Sequence, residues 1–134
     1  MELYEFLRNH CLTFNGTFED YPFGAETTVM KVRATSTSAE KMFALLWFSP
    51  DELRINLKCE PVLAEQLRAT YPHITPGYHM NKRHWNSITL PSGWQPEDDG
   101  LQLHHVLDLI EDSYDLVVSQ LPRTDRALLG WTTQ

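Results

Sequence analysis

The sequence predicts an α+β domain, a two-layer sandwich in which a mainly antiparallel sheet carries its helices on one face. Three observations lead there. Residues 53–58 alternate apolar and polar, as a strand does when one side lies on a core. Residues 2–14 and 103–121 repeat apolar side chains at helical spacing. The strand-like runs 28–33 and 41–48 are joined by the polar segment 34–40, a hairpin connection slightly longer than a tight two-residue turn.

The elements follow in chain order. Leu3, Phe6, Leu7, Cys11 and Phe14 make residues 2–14 an amphipathic helix, which Asn15-Gly16 ends because glycine accepts the left-handed conformation a helix terminus needs. Tyr21-Pro22-Phe23-Gly24 is a turn cluster whose two aromatics are expected to anchor a loop on the core. Met42 to Phe48 is apolar on both alternating faces and predicts an inner strand. Ser49-Pro50-Asp51-Glu52 turns the chain into the next strand, where Leu53, Ile55 and Leu57 face the core and Arg54, Asn56 and Lys58 the other side. Pro61 opens a short helix with Leu63, Ala64, Leu67 and Tyr71 as its buried face, and Pro72 ends it. Trp85 to Leu90 reads as a further strand. In the last helix Asp99 and Gln102 form a capping-box-like start, and Leu103, Leu107, Ile110, Tyr114, Val117 and Leu121 form the seam before Pro122. Residues beyond Pro122, including Arg123, Arg126 and Trp131, are expected to form one further turn or to fray.

Composition narrows the function. The 134 residues suit one domain, 1–134, and 42% hydrophobic with 22% charged residues is ordinary for a globular chain. The longest apolar run, Met42 to Phe48, is far too short to span a bilayer, and the N-terminus has no signal-peptide pattern, so a cytoplasmic protein is expected. Two cysteines build neither a disulfide framework nor a thiolate metal site. The formal charge of −7 argues against a protein that coats nucleic acid. The charges are segregated, however. Gln66 to Pro96 contains no carboxylate, while Glu97 to Asp115 holds seven and no Lys or Arg. A local anion site within a negative molecule is compatible with that pattern, and so is a merely solvated acidic helix face.

Catalytic and cofactor signals are weak. His79 and His84 are five apart rather than the four that places two ligands on one helix face. His104, Asp108 and Asp112 have i,i+4 spacing but lie off the apolar seam. Cys59 and Cys11 read as buried thiols. The six glycines form no phosphate-binding fingerprint, so no cofactor and no enzymatic activity are expected.

The segment Pro76-Gly77-Tyr78-His79-Met80-Asn81-Lys82-Arg83-His84-Trp85-Asn86 closely resembles the signature of the MmcQ/YjbR family. Pro22-Phe23-Gly24, Lys41 to Leu45, Asn56 to Pro61 and Ser113 to Val118 resemble further family segments, as does the stretch from Leu121 to Leu129. The resemblance runs from about residue 17 to residue 129, and its main departure is the long connection 34–40. It implies a fold of the type III secretion chaperone-like class. Members are commonly labelled DNA-binding by analogy with paired wings, and the family supplies no agreed catalytic residues.

The chemistry of the signature is therefore read from its own side chains. Tyr78 and Trp85 are large rings at either end, and His79, Asn81, Lys82, Arg83 and His84 present donors without a carboxylate between them. Arg grips phosphate or carboxylate through a bidentate fork, with Lys beside it as a point charge. Arg54 and Lys58 extend the same surface if the fold brings them near, with Arg68 a further candidate. The alternative is that Asn81 and the histidines bond loop backbone, Tyr78 and Trp85 pack, and Lys82 and Arg83 pair with the acidic helix. The reading is a non-enzymatic binding protein, with DNA or another anionic ligand as first-choice partner. Tyr78 or Trp85 would stack on bases, and about three to five neutralised phosphates would give a log–log salt slope of roughly −3 to −4.5. A protein- or peptide-binding module, including self-association, is the alternative, with Trp47 or Trp94 as an anchor where exposed. Oligomeric state is not legible in the sequence.

Overall fold

A computed structural model describes residues 2–95 and 100–131. The predicted helices and strands form α1 (Glu2–Leu12), β2 (Thr28–Val32), β3 (Lys41–Phe48), β4 (Glu52–Lys58), α2 (Pro61–Thr70), β6 (Trp85–Pro91) and α3 (Leu103–Ser119). Three short elements join them: β1 (Thr17–Asp20), β5 (Ile74–Pro76) and α4 (Arg123–Leu128). The six strands make one sheet in the order β1-β2-β3-β4-β6-β5, with every pairing antiparallel. β3 is an inner strand, as its two apolar faces require. Both edges are short, and each is blunted against further pairing: β1 carries Glu19 and Asp20, and β5 ends on Pro76.

The main core lies between the sheet and α1, α2 and α3. Leu7 and Cys11 from α1, Phe43, Leu46, Ile55 and Ile88 from the sheet, and Val106 and Ile110 from α3 are fully buried in it. Ser113 hooks α3 onto two strands at once: its hydroxyl donates to the Phe43 carbonyl at 2.6 Å and accepts the Lys58 backbone N–H at 2.8 Å. α1 ends at Leu12, two residues short of the expected 2–14, and Gly16, at φ +74°, makes the turn that leads into β1. Among the described residues no helix is long and apolar enough to cross a membrane, and no cluster of three or more His, Cys, Asp or Glu could hold a metal ion.

Several local expectations are corrected. The N-cap of α3 is Gln102, whose backbone N–H donates to His105 Nδ1 at 3.2 Å; the expected capping residue Asp99 lies outside the described residues. Leu103 and Leu107 are only half-buried, and Val106 takes the inward position. Leu63 is 37% exposed, so α2 buries Ala64 and leans on Leu67 and Tyr71 instead. Asn56 points away from the main core as predicted, yet it is buried, because the helix-free face has a small core of its own. Val29, Leu45 and Trp85 are buried there, with Met42, Trp47 and Met80 packed around them.

Candidate binding cleft on the helix-free face

The signature segment is the connection from β5 to β6, and it folds back over the helix-free face. Gly77 makes this possible. Its N–H donates to the Trp85 carbonyl at 2.8 Å, and a β-carbon there would lie 2.7 Å from Trp85 Cβ and 2.9 Å from the Trp85 oxygen. Side chains buried in the sheet then hold the loop. Asn56 Nδ2 donates to the Tyr78 carbonyl at 2.9 Å, and the Ser87 hydroxyl accepts the Tyr78 N–H at 2.8 Å while bonding Asn56 Oδ1 at 2.5 Å. Asn56 and Ser87 are each 1% exposed, so this polar pair is desolvated, and each of its side-chain polar atoms has a partner.

From the other side Arg68 of α2 reaches into the loop. Its Nε donates to Asn86 Oδ1 at 2.7 Å, and one terminal nitrogen reaches the Lys82 carbonyl and, at 3.4 Å, that of Trp85. Arg68 is thus a positioning residue that ties α2, the loop and β6 together. Asn81 also serves the loop, its Oδ1 accepting the Arg83 N–H at 3.0 Å.

The loop walls a cavity of about 440 Å³ with β3, β4 and the turn after β1. Trp47 and Asn56 contribute from the sheet, Tyr78, His79 and Met80 from the loop, and Phe23 from the turn. Phe23 is 67% and Tyr78 49% exposed, so large ring faces stand open to solvent. Arg54 lies beside them, with Cζ 4.7 Å from the Tyr78 ring centre and 5.5 Å from that of Trp47. Its guanidinium also pairs with Glu52 at 2.9 Å, while its Nε is buried without a hydrogen-bond partner. His79 adopts φ +59°, a left-handed conformation that a non-glycine residue enters at a cost. That conformation sets its ring 4.0 Å from the ring of Tyr78 at the cleft mouth.

The structure brings together only part of the sequence-predicted set. Tyr78 and His79 line the cleft, and Arg54 lies against the Tyr78 ring beside it. Lys82 and Arg83 are exposed on the loop nearby, with Lys82 Nζ donating to the Gly77 carbonyl at 3.0 Å. Neither makes an ion pair with the acidic helix among the described residues. Trp85 is 8% exposed and packs in the small core, so its ring is not open for stacking on bases. Lys58 does not extend this surface: its ammonium reaches Gln120 Oε1 at 2.9 Å, beyond the end of α3. His84 is half-buried, with its carbonyl accepting the Cys59 N–H at 2.8 Å. Sequence reasoning missed Phe23 and Trp47 as cleft residues. The turn cluster at Tyr21 to Gly24 was the available signal for Phe23, but its aromatics do not anchor on the core: Tyr21 and Phe23 are 42% and 67% exposed, and Phe23 faces the cleft. Trp47 reads in the sequence as core or as an isolated anchor.

Similarity to known proteins covers most of the chain. The family model described as YjbR matches residues 12–116. The uncharacterized protein YbdF of Escherichia coli is 38% identical over 112 residues, covering 79% of this chain and 76% of the relative. The uncharacterized protein YyaQ of Bacillus subtilis is 34% identical over 111 residues, covering 75% and 86% respectively. The crystal structure of protein DR2400 from Deinococcus radiodurans superposes with a TM-score of 0.78 at 33% identity, covering 96% of this chain and 88% of that one.

Proposed function

We infer the function of this chain, which belongs to the YjbR family, from its own open face: it is a non-enzymatic binding protein that takes single-stranded nucleic acid into the aromatic cleft. One observation carries the reading. Phe23, Trp47, Tyr78 and His79 line a cavity, and the Arg54 guanidinium lies against the Trp47 and Tyr78 rings, the combination on which an unpaired base stacks. The phosphate contribution is smaller than the number of cations in the sequence suggests. Arg68 and Lys58 are committed to Asn86 and Gln120, and Arg54 already has Glu52. Lys82 and Arg83 remain as the exposed loop cations beside the cleft. With a chain charge of −7, base stacking rather than charge is the main attraction.

Fluorescence anisotropy with matched single- and double-stranded oligonucleotides tests this. Single strands should bind more tightly. Tyr78→Ala should weaken them about 5- to 150-fold, the worth of one stacked base at roughly 1–3 kcal/mol. Equal binding of duplex and single strand, or an unaffected Tyr78→Ala, removes the cleft from nucleic-acid recognition.

A further inference from the structure

A second concavity lies on the opposite side of the sheet, between α2 and α3, with a volume of about 330 Å³. Its floor is apolar, formed by Leu57, Ile74 and Ile88, and Leu63 and Leu116 stand on its two walls. Leu63 and its neighbour Val62 are 37% and 61% exposed, so the apolar surface continues out of the groove onto α2. The mouth is acidic, with Glu60, Asp112 and Asp115 around it. Among the described residues no ion pair engages any of these three carboxylates. The cation at the mouth, Lys58, is directed to Gln120. Burial first, and then repulsion from Asp108 and Glu111 on Asp112 and from Glu111 and Asp112 on Asp115, raise both carboxyls above their ordinary values. Glu60 is partly satisfied as the N-cap of α2, accepting the Val62 and Leu63 N–H groups at 3.1 Å, so Asp112 and Asp115 give the mouth its net negative charge against the single Lys58. An apolar channel with that charge at its mouth calls for apolar anchors flanked by positive charge.

We propose that the groove between α2 and α3 docks a basic amphipathic helix of a partner protein. The mode follows from the walls. β4 and β6 are hydrogen-bonded on both sides, and the edge strand β5 offers only three residues ending on Pro76, so the groove presents mainly side chains, which disfavours strand addition and fits an inserted helix. Charge also selects the partner. A second copy of this chain brings another −7 charge, its α1 opens with Glu2 and Glu5, and its α3 carries the same acidic face. A Lys- or Arg-rich segment meets that mouth without such repulsion.

The test uses a fluorescein-labelled synthetic peptide with leucines on one helical face and lysines on the other. Its controls are a scrambled peptide of the same composition and one with glutamate in place of lysine. Saturable one-to-one binding in the micromolar range is expected for the first peptide alone. Leu63→Asn should weaken it about tenfold and Asp112→Asn/Asp115→Asn about fivefold, whereas Tyr78→Ala on the other face should leave it unchanged. Circular dichroism of each variant must match wild type, and sedimentation is followed in parallel. The proposal is overturned if the scrambled peptide binds equally or if the groove variants bind like wild type. It is also overturned by absence of saturation below about 100 μM, and by a concentration-dependent dimer that the groove variants dissolve, since that makes a second copy the occupant.

Discussion

Arg68 separates the two ways in which a cation of this chain can matter. The perturbation is Arg68→Met, which keeps the aliphatic stem packed and removes the fork. Three acceptors lose a donor: Asn86 Oδ1, bonded at 2.7 Å, and the carbonyls of Lys82 and Trp85. Lys82 is exposed, so water replaces the donor to its carbonyl. Asn86 is 3% exposed, so its oxygen is left desolvated and unpaired. A lost bond to a charged donor with an orphaned buried acceptor costs about 2 kcal/mol. In urea that moves the midpoint by roughly 1 M, with the slope of the transition unchanged. Amides of residues 77–84 should exchange faster, because the tie between α2 and the loop is gone. Arg68→Lys, which keeps the charge and loses the fork, should recover only a small part. Oligonucleotide affinity should fall in both variants while its salt slope stays that of wild type. An Arg68→Met protein as stable as wild type, with a salt slope shallower by about 0.7, makes Arg68 a phosphate contact and refutes its positioning role.

Three further outcomes follow from the geometry. Gly77→Ala places a methyl 2.7 Å from Trp85 Cβ and 2.9 Å from its oxygen, so it should destabilise by about 1–3 kcal/mol and lower the thermal midpoint. Arg8 grips Glu19 through two bonds of 2.6 and 2.5 Å and holds that carboxyl below its ordinary value of 4.5. The associated stability is therefore present above about pH 4.5 and is lost as pH falls through the lowered value; the wild-type advantage over Glu19→Gln in urea should shrink from about pH 6 to about pH 3. Asp112 has the opposite sign, its carboxyl raised by burial and by Asp108 and Glu111. Its cost appears as pH rises through that value, so Asp112→Asn should melt higher than wild type near pH 7 and lose the advantage near pH 3, as calorimetry can check.

The elements with a strong period were legible in the sequence for a physical reason. Leu53, Ile55 and Leu57 face a continuous core, and the seam of α3 lies against two strands, so burial imprints its spacing on the residues. β1 and β5 carry no such imprint. None of the four β1 residues is fully buried, and β5 has three residues ending in a proline; both are edge strands defined by hydrogen bonds to one neighbour. The signature loop was legible as a place, whereas the roles within it were not. Lys58 alternates with Arg54 along β4, which suggested a shared face, but its side chain turns at the strand end toward Gln120. Trp85 and Tyr78 look alike as flanking rings, yet Trp85 is a strand residue of the small core and Tyr78 is held outward by Asn56 and Ser87. Phe23 joins the cleft from more than fifty residues away, a proximity that no local pattern encodes.

The salt dependence of single-strand binding tests the central claim most directly. Two exposed loop cations, Lys82 and Arg83, predict a log–log slope near −1.4 for a single strand, with substantial affinity persisting at high salt because stacking is uncharged. A slope of roughly −3 or steeper, abolished by Lys82→Glu/Arg83→Glu and indifferent to Tyr78→Ala, contradicts the account and returns the signature loop to a phosphate-gripping surface.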